Sequence, residues 1–551
     1  MAFLGDRVFD VAIVGGGILG LSVARDCAMR RLSVALFERE DFGSGSTGSI
    51  PGILSGEPYW LEADRSRTKA TCEEIQVFQR IAPNLLNRIP ILLPVLRGEP
   101  TLRLDRLEAL GKAYDRFSRL KGGRPSSRLS GADVLSLDPG LSKDITGAVT
   151  WDEWGIDLLR LAMLNGRSAA SAGAQLFSRT PVEKVVLQSR RVVGLEVKPE
   201  GLATAVVRAR TVVNTTGPWI PQLVHATGLG LPLRFSKSVY LELDRQVVGF
   251  GIACSSEPAR RTPRLFAHDH LSYLGPAESA HEGTPESAVP TDRDIDFLLQ
   301  AGSRYFPGLL QYRMTRVRAG VRPYPVPAEN QPPSSHILVD HGRQGAEGFF
   351  SLAGGNVAMS RRMAELATDQ VCRQLRRREP CRTHLESLPG CVVEMPWLEE
   401  SQRTGIDPIS VKRLMARHGY KAHAILDEAV RDPRLARTLC ECEQVLAAEA
   451  DYCVRKEMAK TVSDLGRRTR LGAGPCRACR CLENAALFLG HRYQWNAERL
   501  RAEIASARKE LGQSVLPLGE QARQEEYADW LAEGHLRGDH CPPRPPQEAG
   551  G

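Results

Sequence analysis

Residues 9–42 read FDVAIVGGGILGLSVARDCAMRRLSVALFEREDF. The run Val11–Val14 is apolar without alternation, as expected of a strand buried on both faces of a parallel sheet. Gly15-x-Gly17-x-x-Gly20 follows immediately, and Leu21, Ala24 and Ala28 then recur at helical spacing. A second apolar run, Val34–Phe37, ends at Glu38. The order strand, tight turn, helix, strand is the unit that binds a dinucleotide. Its glycines allow a sharp turn, close approach of backbone to pyrophosphate, and close packing of helix on strand. The helix N-terminus turns backbone N–H groups toward the phosphates. Glu38 stands where a carboxylate accepts hydrogen bonds from the ribose hydroxyls. The expected class is α/β, with a Rossmann-like nucleotide-binding domain.

This unit serves both NAD and FAD, and two further stretches favour FAD. GSGSTGS (43–49) is small and hydroxyl-rich, and its Ser46 and Thr47 suit wrapping of a second phosphate. ARTVVNTTGPWI (209–220) reads as a strand running into a turn at Gly217. Here the chain resembles the superfamily of FAD-dependent D-amino-acid oxidases and glycerol-3-phosphate dehydrogenases. That resemblance implies a third cofactor segment near the end of the fold, cradling the flavin. GFFSLAGGNVAMSRRMAELATDQV (348–371) answers to it: a strand, a turn at Gly354, Gly355 and Asn356, then a long helix. Its first-turn N–H groups are expected to face the flavin's pyrimidine oxygens.

The chain has 551 residues, enough for roughly two to four domains. Hydrophobic residues make up 42% and charged residues 25%, the balance of a soluble globular protein. The net charge of +8 is mild and interleaved with acids, which argues against a nucleic-acid partner and fits a solvated surface. No segment is apolar enough to span a bilayer. The run Val8–Leu21 follows Asp6, contains Asp10 and is broken by three glycines, unlike a signal peptide. The expectation is a cytoplasmic protein with reduced thiols.

Thirteen cysteines are present. Cys27, Cys72, Cys254, Cys372, Cys381, Cys391 and Cys541 are scattered, whereas six fall between 440 and 481. In a reducing compartment, clustered cysteines favour a metal over disulfides. Cys440-x-Cys442 and Cys476-x4-Cys481 are separated by about 33 residues. The arrangement resembles the small [2Fe–2S] domain of the bacterioferritin-associated ferredoxin type, in which four thiolates hold two irons. A four-thiolate zinc site is the rival, though its pairs are more often two to four residues apart. Cys453 is expected in a helix core, and Cys479 is an extra thiol in the loop. Arg467, Arg468 and Arg470 are expected to offset the cluster's negative charge.

FAD followed by such a module resembles the large subunit of anaerobic-type glycerol-3-phosphate dehydrogenase nearly end to end. GVRPY (320–324), Gly155-Ile156-Asp157 with Arg160-Leu161, and DIDFLLQAGSRYFPGL (294–309) carry the match. So does QARQEEYADWLAEG (521–534). The resemblance implies hydride transfer from a small alcohol to FAD. It also implies electron exit through iron–sulfur to a quinone-linked or iron–sulfur partner subunit, with peripheral attachment to the inner membrane through that partner. It carries Arg322 over as a substrate cation, and Arg361 with it. The family's flavin-side lysine is Asn356 here, an arginine before the strand 337–340 is replaced by Ser335-His336, and Pro58-Tyr59 stands for Arg-Tyr. Ser49-Ile50-Pro51 is also less polar than the family's loop. Recognition of a phosphate draws on several fixed cations. These departures therefore leave open a 2-hydroxy acid, an amino or imino acid, or an electron-transfer subunit whose substrate site has decayed. Candidate bases are His268, His270 and, best placed, His336; Glu57 reads either as an acid that turns the site toward a less anionic substrate or as a solvated loop acid.

The expected organisation is a flavoprotein over 1–390. Its FAD layer draws on about 8–85, 150–220 and 335–390, and its substrate layer, α+β in character, on about 86–149 and 221–334. A helical connector (391–437), the thiol domain (438–490) and a charged helical tail with a Pro-rich, disordered end (491–551) follow.

Overall fold

A computed structural model describes residues 7–99, 103–254, 262–326 and 336–515. The tail 521–534, Cys541, the Pro-rich end and Ser335 lie outside the described residues.

The quoted stretch forms a strand (Val8–Val14), a helix (Ile18–Met29) and a second strand (Val34–Phe37). The first strand is the centre of an eight-stranded sheet. It pairs in parallel with Val34–Phe37 on one side and Ala205–Asn214 on the other, with Val14 opposite both Phe37 and Asn214. Phe349–Gly354 continues the parallel order beyond Ala205–Asn214, and Gln175–Phe177 beyond Val34–Phe37. His336–Asp340 closes one edge antiparallel.

Both faces of this sheet are covered, which is why its strands are continuously apolar. On one face Val11, Ile13 and Leu36 pack against Leu21, Ala24 and Cys27 of the first helix, with Met363 and Ala367 from the helix Ser360–Gln374. On the other, Phe9, Ala12 and Phe37 pack with Leu195, Val212 and Phe349.

A second, nine-stranded sheet is mostly antiparallel. Its path runs from Met314–Pro325 through Leu233–Leu243, Leu271–His281, Arg264–His268 and Gly251–Ala253 to Leu86–Leu96, Ile145–Ile156 and Ile53–Leu54. Strand Ile145–Ile156 lies wholly in this sheet, so the division between layers falls at its end and not at residue 150.

Seven helices follow between Trp397 and Val515 among the described residues, with one short ladder pairing Thr438–Cys440 and Val445–Leu446. Val411, Leu414, Ile425 and Leu426 share one core with Leu446 and Ala448, so the connector and the thiol segment are packed as one body. Buried ion pairs fasten this body to the flavoprotein. Arg160 meets Glu457 at 2.8 Å with both side chains 1% exposed, and Arg179 meets Asp464 at 2.8 Å. Arg160 and Asp464 are thus committed to docking.

Candidate active site

The carboxyl ends of the parallel strands open into a cavity of about 1330 Å³, which extends from Glu38 and Arg39 to Gly354, Gly355, Asn356 and Arg322. This is where a doubly wound sheet offers a ligand its crevice.

At the nucleotide end, Gly15 has φ +102°, and a Cβ there would lie 2.7 Å from the Thr215 carbonyl oxygen. A Cβ on Gly20 would lie 1.9 Å from the Gly15 carbonyl oxygen, so helix and turn press together as the motif requires. Glu38 is held by two backbone donors: Gly16 N–H at 2.6 Å and Glu40 N–H at 2.9 Å. Burial pushes its carboxyl above the usual range. Thr47 Oγ1 accepts the Ile18 N–H at 3.1 Å, tying the hydroxyl-rich loop to the helix start. Ser46 donates to the Val321 carbonyl at 2.7 Å, tying the same loop to the substrate sheet. Gly17 lines the cavity beside Thr47, and Gly217 (φ +60°) leaves open space where a Cβ would stand. Arg39 lies over the Trp219 ring at 4.3 Å, and Trp219 Nε1 donates to Glu286 at 2.5 Å.

At the far end, Gly354 and Gly355 both have φ +79°, and a Cβ on Gly355 would lie 2.4 Å from Met363 Sδ. Asn356 Oδ1 accepts the Met359 N–H at 3.0 Å and caps the turn before the helix Ser360–Gln374. Asn356 Nδ2 and Ser360 Oγ are buried without a partner among the described residues, and both residues line the cavity. Unmet buried donors of this kind call for a polar ligand. A cavity of this length, with a carboxylate at the ribose position, glycines at the pyrophosphate turn and unmet donors at the other end, fits FAD.

Arg322 also lines this end. Its contacts are loose: the Tyr324 hydroxyl at 3.1 Å, the Gly355 carbonyl at 3.4 Å and Glu278 at 3.6 Å. The other expected substrate groups are placed elsewhere. Arg361 is buried away from the cavity and clamped by Glu74 at 2.5 Å and Glu365 at 2.8 Å, so it is a structural cation. His268 is buried against Asn87 at 3.1 Å, and His270 meets Glu443 of the C-terminal body at 3.1 Å. Neither histidine lines the cavity. His336 starts its strand opposite Gly354 but is also absent from the cavity wall; burial, and then the nearby Arg67 charge, lower its pKa. Glu57 does line the cavity, yet it is no solvated acid: Arg67 grips it through Nε at 2.7 Å and Nη2 at 3.1 Å.

A family model described as FAD dependent oxidoreductase matches residues 10–370, about two thirds of the chain. The chain belongs to the FAD-dependent oxidoreductases. A second model, the C-terminal domain of alpha-glycerophosphate oxidase, matches residues 381–500 and takes in the connector and the thiol segment together. One subunit of the anaerobic glycerol-3-phosphate dehydrogenase of Escherichia coli strain K12 is 29% identical over 95% of this chain and 96% of its own. The corresponding protein of Haemophilus influenzae is 28% identical over 95% of this chain and 92% of its own. Among solved structures, the glycerol-3-phosphate dehydrogenase of Bacillus halodurans complexed with FAD superposes with a TM-score of 0.75 at 24% identity. It covers 94% of this chain and 97% of its own, and shares the fold.

In this oxidoreductase the thiols converge: Cys440 meets Cys481, Cys442 meets Cys476, and Cys476 also meets Cys481 and Cys479. The N–H groups of Gly472 and Glu443 are turned to Cys440, and that of Arg480 to Cys476. Gly474 is required there, because a Cβ would lie 2.2 Å from Cys442 Cβ. Among the described residues no group of three or more His, Cys, Asp or Glu side chains has the geometry to hold a single metal ion. Cys453 is fully buried and Cys479 exposed. The expected electrostatic role of the arginines is corrected. Arg467 and Arg468 reach Asp41 of the nucleotide loop at 2.6 and 2.5 Å, and Arg470 reaches Asp269 at 3.1 Å and Glu443 at 3.3 Å. They dock the C-terminal body, and Arg467 itself lines the cavity.

Arg67, Arg264, Glu278 and Tyr240 join Tyr59 and Tyr324 at the substrate end and were not picked out by motif. They come from a helix and three separate strands, and only pairing in space brings them together.

Proposed function

We propose that this oxidoreductase dehydrogenates glycerol 3-phosphate, or an anionic alcohol of similar size, to the corresponding ketone. The observation that carries this is the convergence of Arg322 and Asn356 on the Gly354-Gly355 turn, at one end of a cavity that fits FAD. The matched relatives, glycerol-3-phosphate dehydrogenase subunits across 95% of the chain, support it. FAD, when bound, supplies the two-electron acceptor. Glu38, the Gly15–Gly20 turn and the 43–49 loop hold its nucleotide half. Asn356 Nδ2 and Ser360 Oγ are the donors offered to its ring end. Arg322 is loosely held and can turn its fork toward the substrate's oxygens beside the Gly354-Gly355 turn. Glu278, which pairs with Arg322 and accepts from Ser238 at 3.0 Å, is assigned the hydroxyl proton. Trp60, Tyr240 and Tyr324 wall the chamber and limit water.

We further assign a [2Fe–2S] cluster to Cys440, Cys442, Cys476 and Cys481, supported by the convergence of these thiols in space. Such a cluster would supply one-electron exit toward a partner subunit. The relatives are each named as one lettered subunit of their enzyme, which supports such a partner. Among the described residues no helix is long and apolar enough to cross a membrane, so membrane attachment is assigned to that partner.

The test is anaerobic mixing of the FAD-loaded protein with glycerol 3-phosphate while following the flavin's visible absorption. Bleaching at a catalytic rate is expected. A flavin that dithionite reduces and glycerol 3-phosphate does not would refute the substrate assignment.

A further inference from the structure

Five arginines line the cavity: Arg39, Arg67, Arg264, Arg322 and Arg467. Four have a carboxylate. Arg39 meets Glu286 at 3.3 Å, Arg67 meets Glu57 at 2.7 Å, Arg322 meets Glu278 at 3.6 Å and Arg467 meets Asp41 at 2.6 Å. Arg264 has none among the described residues. Its one described side-chain contact is the Tyr59 ring, 5.6 Å from the guanidinium carbon. The Tyr59 hydroxyl, also in the cavity wall, is buried without a hydrogen-bond partner among the described residues. Burial pulls the Arg264 pKa down to about 10, with distant Glu57 opposing, as expected of a desolvated cation lacking a contact partner.

A guanidinium half-buried in the cavity wall with no carboxylate among the described residues is costly to hold unless an anion answers it. The strand that carries Arg264 explains why its described strand neighbours do not. Arg264–His268 lies between Gly251–Ala253 and Leu271–His281, with Arg264 opposite Ala253 and Gly275. Neither neighbour has a polar side chain to offer. Arg322 lies on the same sheet three strand positions away, about 14 Å of backbone spacing at about 4.8 Å per strand. The two cations line one chamber from different strands.

We propose that Arg264, with the Tyr59 hydroxyl, is an oxyanion subsite of the substrate chamber, distinct from Arg322, that takes the phosphate or carboxylate of the substrate. The inference rests on the dehydrogenase reading and adds to it the residue that selects for an acidic substrate. It supplies a cation at the substrate end of a chain in which Asn356 stands on the flavin-side turn. Arg264 is a binding residue here. The chemistry at the alcohol carbon stays with the groups around Gly354, Gly355 and Arg322.

The experiment uses the FAD-loaded full chain at constant ionic strength, in wild type, Arg264→Met, Arg264→Lys and Tyr59→Phe forms. Inorganic phosphate and acetate are titrated separately while flavin absorption is followed. Steady-state dehydrogenation of glycerol 3-phosphate is measured alongside. Arg264→Met is expected to raise the half-saturation for at least one anion, and the KM, by tenfold or more, with kcat and dithionite reduction unchanged. Arg264→Lys restores most of the affinity, because a point charge remains, and Tyr59→Phe shifts it several-fold the same way. The anion that binds tighter identifies the acid group. Equal titration by wild type and Arg264→Met overturns the subsite, as does a wild-type flavin that answers neither anion. If anions bind through Arg264 while glycerol 3-phosphate fails to reduce the flavin, the subsite stands and the substrate assignment falls. If glycerol 3-phosphate reduces wild type and Arg264→Met with one KM, the reverse holds.

Discussion

Asp41→Asn tests whether the C-terminal body holds the nucleotide loop in place. Asp41 lies three residues past Glu38, is 2% exposed and accepts from Arg468 at 2.5 and 2.7 Å and from Arg467 at 2.6 Å. The amide keeps the shape but removes the charge and turns N–H donors toward a guanidinium. Arg467 keeps Asp464 at 2.9 Å. Arg468, 1% exposed, is left with one uncharged amide oxygen and the carbonyls of Asp464 at 3.2 Å and Glu457 at 3.1 Å. Breaking one side of a buried pair costs about 3–5 kcal/mol. That is roughly a hundred- to several-thousand-fold shift toward the undocked state. Because the same loop carries Glu38 and runs on into Ser46 and Thr47, undocking is expected to speed FAD release. The assay is flavin fluorescence on dilution, with thermal unfolding of the loaded protein alongside. Arg467→Gln should be milder, since Asp41 keeps Arg468 and Asp464 keeps Arg179. The double variant Asp41→Asn/Arg468→Leu removes the stranded charge and should recover part of the loss. A single variant that releases FAD and unfolds like wild type, or a double variant no better than the single, would refute the reasoning.

Cys442→Ser is expected to abolish the paramagnetic signal of the dithionite-reduced protein and its iron while leaving FAD bound; a retained signal removes Cys442 from the cluster. Gly474→Ala should do the same through its 2.2 Å approach to Cys442 Cβ, read by iron content against flavin content. Arg322→Ala should slow substrate-driven flavin reduction by ten- to a hundredfold with FAD retained, and an unchanged stopped-flow rate would withdraw its role. Acid should loosen the C-terminal body. Burial would raise Glu449, but Arg417 and His418 override it and hold the carboxyl at about 2. Burial, helped by Arg160, lowers His418 from 6.5. Both folded pKa values are depressed, so both contributions are complete above the unfolded values. The His418 contribution is lost as pH falls below about 6.5, and that of Glu449 between about 4.5 and 2. The melting temperature should therefore fall from pH 7 to pH 5, and His418→Gln should flatten that slope; an equal slope in the variant would assign it elsewhere.

The nucleotide half of the site was legible because its constraints are local. A tight turn needs Gly15, a close helix needs Gly20, and a strand end puts Glu38 beside both, all within one stretch of chain. The flavin-side turn at Gly354 and Gly355 was legible for the same reason. The spacing singled out the clustered thiols, but which of them meet is set by folding: Cys440 reaches Cys481, and Cys476 reaches Cys442, Cys481 and the extra Cys479. The layer boundary near 150 was misread because Ile145–Ile156 alternates no differently from the strands around it, and its sheet is set by pairing with Leu86–Leu96.

The arginines are where sequence reading failed, and the reason is physical. An arginine's role is fixed by which carboxylate reaches it, and that carboxylate is usually distant along the chain. Arg361 sits in the flavin-side helix beside the expected substrate position, yet Glu74, 287 residues earlier, takes it out of the chamber. Arg467 and Arg468 flank the thiols in sequence, yet Asp41 draws them to the nucleotide loop from 426 and 427 residues away. Arg322 escapes full neutralisation only because Glu278 stops at 3.6 Å. Arg264, in no motif at all, is left without a carboxylate among the described residues because its strand neighbours are Ala253 and Gly275. A cation available to substrate is thus what remains after every local acid has been assigned, a property of the whole packed chain that no window of sequence contains.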